Sequence, residues 1–107
     1  MQDEFISKIG VYGQMHYRYL RENKPSVVNV MRMKGTLRQY LEEVNADAEE
    51  RLARLETELA KNEGVTESLK RQDQMMWVSR MNSIRNRAEE VVIHKLRLST
   101  RRRRKLR

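Results

Sequence analysis

The sequence predicts an all-α chain: two short N-terminal helices, a long antiparallel helical hairpin and a flexible basic tail. Three observations lead there. Four Gly and one Pro in 107 residues leave few places to turn, which favours a few long helices over many short strands. Apolar residues make up 38% and charged residues 36%, a balance suited to amphipathic helices with narrow buried seams. Over residues 37–98 the apolar positions recur at helical spacing, not in the alternation of a half-buried strand.

Residues 1–8 show no period and are expected to fray. Ile9, Tyr12, His16 and Leu20 share one face of a first helix over about 9–23, weakened by Gly10 and Gly13. Pro25 suits the first position of a helix and Gly35 its stop, which places a second helix over 25–34. Thr36-Leu37-Arg38-Gln39 has capping-box spacing and opens a third helix over 37–62, roughly 39 Å long at 1.5 Å per residue. Along it Leu37, Leu41, Val44, Ala48, Leu52, Leu55 and Leu59 keep to one narrow arc. Glu50 precedes Arg54 by four, the favourable order for an ion pair on a helix. Gly64 supplies a stop, and Thr66-Glu67 opens a fourth helix, read as continuous over 67–98. Its apolar stripe is Trp77, Met81, Ile84, Ala88, Val91 and Val92. Two such helices on a short link are expected to lie antiparallel and bury their stripes together. Residues 1–98 thus read as a single helical domain, with a tail over 99–107.

The net charge of +8 is unevenly placed. Residues 94–107 hold eight Lys or Arg and no acid, whereas residues 1–93 hold fifteen of each sign. Residues 8–38 carry seven bases against one acid, and residues 39–63 eight acids against three bases. From Arg101 to Arg107, six of seven residues are basic; such a run repels itself and is expected to stay unstructured without a polyanion. Clustered Lys and Arg bind phosphates and release their counterions, so a DNA or RNA backbone is the expected partner. The contacting residues are read as Lys95, Arg97, Arg101, Arg102, Arg103, Arg104, Lys105 and Arg107. A second basic group, Arg18, Arg21, Arg32 and Lys34, has Tyr12, Tyr17 and Tyr19 interleaved, a mixture able to track a backbone and stack on bases. Asn82, Arg85, Asn86 and Glu89 form a candidate partner surface, with Arg85 in reach of Glu89.

Other chemistry finds little support. Without cysteine there is no thiolate nucleophile and no Cys-based zinc site. Neither His16 nor His94 has a compelling further ligand at i+3 or i+4, and His16, on an apolar face, reads as a hydrogen-bonded core imidazole. With no Gly-rich phosphate loop, no H-E-x-x-H and no Ser/His/Asp grouping, neither an enzyme nor a cofactor is expected. The N-terminus is acidic where a signal peptide is basic, and no apolar run approaches the roughly 18 residues needed to span a bilayer. A cytoplasmic location away from membranes is therefore expected.

The run Gln74-Met75-x-Trp77-Val78-x-Arg80-Met81-Asn82-Ser83-Ile84-Arg85-Asn86-Arg87-Ala88-Glu89-Glu90 is preceded by two further motifs. These are Gly64-Val65-Thr66-Glu67-x-Leu69 and, near the start, Ile9-Gly10-x-Tyr12-Gly13 with Arg18-Tyr19-Leu20. Together they resemble the small transposon-encoded TnpV proteins of bacterial mobile elements, over about residues 9–96. The resemblance implies a protein that travels beside a site-specific recombinase and is likened to excisionases. The expected function is then a non-catalytic, DNA-binding accessory that biases recombination. The alternative is a protein-binding inhibitor of the anti-CRISPR type, whose acidic third helix occupies the basic groove of a host nucleic-acid-guided defence nuclease. A third reading is a homodimeric structural protein.

Overall fold

A computed structural model describes residues 4–98, and every element in that span is a helix. These are α1 (Ile6–Ile9), α2 (Val11–Asn23), α3 (Pro25–Lys34), α4 (Leu37–Asn62), α5 (Glu67–Gln72) and α6 (Gln74–Leu98). The tail from Ser99 to Arg107 lies outside the described residues. The chain divides into two units, one running to Glu49 and resumed from Ile93, the other spanning Glu50–Val92.

In the first unit the N-terminal helix does not begin at Ile9. A turn of helix, α1, precedes it, and Gly10 breaks the chain at φ +119° before α2 starts. The cause lies on α4. The side-chain oxygen of Asn45 accepts the backbone N–H groups of Tyr12 and Gly13, both at 3.0 Å, satisfying donors that a helix start leaves open. A Cβ on Gly10 would sit 2.5 Å from the Asn45 amide nitrogen, so this cap needs glycine twice over, for space and for φ. One turn on, a Cβ on Gly13 would collide with Ile9 and come 3.0 Å from the Leu41 carbonyl. The Ile9-Gly10-x-Tyr12-Gly13 motif is thus the imprint of α2 lying close against α4.

Pro25 takes the first position of α3, and Gly35 ends it in the left-handed conformation at φ +74°. The expected capping box at Thr36 is not made. The Thr36 hydroxyl donates to the Met31 carbonyl at 3.5 Å, and Gln39 reaches forward to Glu43 at 3.2 Å. The core of this unit is Ile9, Tyr17, Leu20, Val28, Leu37 and Leu41, with Phe5, Ile6 and Met31 packed on it. His16 is buried with it. The Leu96 carbonyl, 2.7 Å from Nδ1, can only accept, so Nδ1 carries the proton; Nε2 pairs with the Tyr40 hydroxyl at 2.8 Å.

In the second unit Gly64 turns the chain at φ +73° after α4. The Thr66 hydroxyl caps α5 by accepting the Leu69 N–H at 3.3 Å. The helix expected to run unbroken over 67–98 is interrupted at Asp73. Its N–H still bonds back to the Leu69 carbonyl at 2.8 Å, while its carboxylate accepts the Met76 N–H at 3.1 Å. Asp73 closes α5 and opens α6, the role an Asp N-cap favours. The apolar stripe of α6 is also narrower than expected. Its buried row advances in steps of four, Ile84, Ala88, Val92 and Leu96, and such a row is inclined to the helix axis. Val91 falls off it and is exposed, and Trp77 and Met81 are half-buried.

Candidate nucleic-acid interface

Between Val11 and Lys34 the only acid is Glu22, against five bases, so the surface built by α2 and α3 is strongly positive. Two groupings form on it. In the first, Tyr17 is the hub: the Arg21 guanidinium lies 5.5 Å from its ring centroid, and Arg32 donates to its hydroxyl at 3.2 Å. Arg32 also donates to Asn29 at 3.3 Å. Two guanidinium groups are thereby held at one aromatic side chain, with Lys34 exposed in the last turn of α3.

In the second, α2 meets the last turn of α6. Arg18 and Arg97, both exposed, line one cleft of about 430 Å³. Met15, Ile93 and Leu96 supply its apolar lining, and Tyr19, Glu22 and Asn23 complete it. His16 positions this end of α6 through the Leu96 carbonyl. Lys95 and Arg97 lie in the last turn, where the helix dipole favours cations. Of the basic residues read from the sequence, Arg18 and Arg97 are thus brought together, and Arg21 and Arg32 meet at Tyr17. Arg101, Arg102, Arg103, Arg104, Lys105 and Arg107 lie outside the described residues.

The candidate partner surface on α6 is divided. Asn82 is exposed and lines a shallow groove of about 520 Å³ with Gln74, Met75, Val78 and Ser79. Asn86 is exposed and Glu89 half-buried. Arg85 does not turn to Glu89 but to Glu56 on α4, with Nε 3.2 Å from a carboxylate oxygen. The pair is close enough for charge attraction, though not aligned as a hydrogen bond. Arg87, not among the four residues assigned to that surface, makes the better pair, donating to both oxygens of Glu63 at 2.7 and 3.0 Å. That fork holds the Glu63 carboxyl below the usual carboxylate range and raises Arg87.

Among the described residues no group of three or more His, Cys, Asp or Glu could hold a metal ion. No described helix is long and apolar enough to cross a membrane. The described residues build a small all-α protein in which bases and acids balance over Glu50–Val92, so that the surplus of positive charge falls on the first unit. The family model described as transposon-encoded protein TnpV matches residues 1–96, and the chain belongs to that family. It is thus a protein of transposons, and the match stops short of the polybasic run. Neither a curated protein nor a solved structure matches it.

Proposed function

We propose that this protein is a non-catalytic accessory of its mobile element that grips the phosphate backbone of DNA with its first unit and tail, biasing recombination as excisionases do. A recombinase is the protein partner this reading requires. The observation that carries it is the sharing of one cleft by Arg18 and Arg97, at the helix end from which the chain continues into six bases in seven residues. Phosphate contacts from such groups position a nucleic acid and depend steeply on salt. In this reading α4 and α6 pair as a hairpin that carries the basic end, supported by the Arg85–Glu56 and Arg87–Glu63 ion pairs.

The acid-rich stretch 39–63 favours a second reading, a nucleic-acid mimic that blocks a defence nuclease. Much of that charge is already engaged within the chain. Glu42 pairs with Arg38 at 3.0 Å, Glu50 with Arg54 at 3.7 Å, and Glu56 and Glu63 with the arginines of α6. We therefore prefer DNA binding. Fluorescence anisotropy of a labelled duplex, titrated with the full chain across salt concentrations, tests it. Replacing Arg101 to Arg104 by Gln should weaken binding and flatten the slope of log affinity against log salt by about 0.9 for each phosphate that is no longer neutralised. No binding at moderate salt, or an unchanged slope, would overturn the proposal.

A further inference from the structure

The cleft between α2 and the end of α6 is more elaborate than phosphate binding requires. Two guanidinium groups would suffice for that, yet Met15, Ile93 and Leu96 give the cleft an apolar lining and Tyr19 adds an aromatic ring. That ring is held in place. It stacks on the His16 imidazole with centroids 6.2 Å apart and planes at 23°. His16 is itself pinned by the Leu96 carbonyl and the Tyr40 hydroxyl. Tyr19 nevertheless stays half-buried, with surface left to line the cleft. Glu22, the one acid of this region, lies beside it. A carboxylate there disfavours an anion deep in the cleft but accepts from the N–H edge of a base. The volume of about 430 Å³ falls in the roughly 300–1,000 Å³ range of small-ligand sites.

We infer that this cleft takes one unpaired base of a nucleic acid, stacked against Tyr19, with Arg18 and Arg97 on the flanking phosphates and Glu22 at the base edge. The inference rests on the nucleic-acid reading above and narrows it. A base inside a duplex is stacked on both faces and cannot enter a cleft of this kind without leaving the helix, so the preferred substrate is single-stranded or locally opened DNA. The expectation runs against the tail's electrostatics, because a single strand has lower charge density than a duplex and releases fewer counterions for each phosphate neutralised. A preference for single strands therefore cannot come from the basic run alone.

The test uses the full chain and three labelled probes of equal length: a mixed-sequence single strand, its duplex, and an abasic strand that keeps the phosphates but carries no bases. Wild-type protein should bind the base-bearing strand about 5- to 150-fold tighter than the abasic one, the range that a base–aromatic stack gives. Tyr19→Leu should lose most of that margin while duplex affinity changes less than about twofold, and Tyr19→Phe, which keeps the ring, should retain it. Equal binding of base-bearing and abasic strands by the wild type would overturn the inference whether or not Tyr19→Leu folds. So would a Tyr19→Leu loss of equal size on strand and duplex. If no probe binds, the DNA-binding proposal falls together with this one; if duplex binds and the bases make no difference, only the unpaired-base site falls.

Discussion

The two units solve the same problem, stabilising long amphipathic helices in a charge-rich chain, in different ways. The first closes over side chains removed from water. Leu20 and Leu41 are 0% exposed, and the two polar residues buried among those described, His16 and Asn45, have their hydrogen-bonding atoms matched to named partners. The second has a shorter seam of Val65, Ile84, Ala88 and Val92, buries no polar residue among those described, and ties α6 to Glu56 and Glu63 by ion pairs at its surface. Buried polar groups that must find one particular partner set a geometry more sharply than an apolar seam can. The base-binding cleft we infer lies in the first unit, where a precise geometry is available.

The contrast can be broken most directly in the cores. Leu41→Ala should cost about 2–5 kcal/mol, as removal of a fully buried leucine does. Trp77→Ala should cost about 1–2 kcal/mol, because a half-buried indole loses only part of the 3–5 kcal/mol of a buried one. Its ring is also covered on one side by the Lys70 ammonium, 4.6 Å from the centroid. Urea midpoints for the two variants decide the matter: equal losses would mean the second unit holds as deep a core as the first.

A smaller effect tests the polar half of the comparison. Asn45→Ala leaves the Tyr12 and Gly13 amides without their acceptor and should cost about 1–3 kcal/mol, the range for an orphaned buried donor. Amide hydrogen exchange supplies the local readout. Protection should fall first at Tyr12 and Gly13, and uniform loss across the chain would show that Asn45 acts as general packing, not as a cap.

The smallest effect belongs to the surface pair of the second unit. Glu63 is held below the usual carboxylate range by Arg87, so its contribution is fully present above the unfolded-state value and is lost as pH falls through the lower folded-state value. Arg87→Gln should be less stable than the parent near neutral pH, and the gap should close in acid. High salt should shrink the gap as well, since the pair is exposed. A difference that persisted in acid would assign Arg87 to packing and not to charge.

Much of this architecture was written in local chemistry. Pro25, Gly35, Gly64 and Thr66 each act on the backbone within a few residues, by fixing φ, permitting a left-handed turn or capping neighbouring amides, and the helix limits at these points follow from residue type alone. Asp73 is less legible: no Gly or Pro interrupts 67–98, so the sequence reads there as one continuous helix, whereas the Asp73 carboxylate caps a new one. The four basic residues of α2 and α3 and the two at the end of α6 were likewise visible as charge.

The sequence by itself determined the helical class, the amphipathic stripes and the surplus of positive charge, because each depends on residue identity and spacing along one chain. Only the tertiary structure decided that Asn45 would cap a helix more than thirty residues away, that His16 would hold the end of α6, and that Arg18 and Arg97 would share a cleft with Tyr19. Each is a meeting of elements distant in sequence. Its energy comes from burying a polar group that must be satisfied, or from close approach at a glycine, and neither acts until the helices have packed.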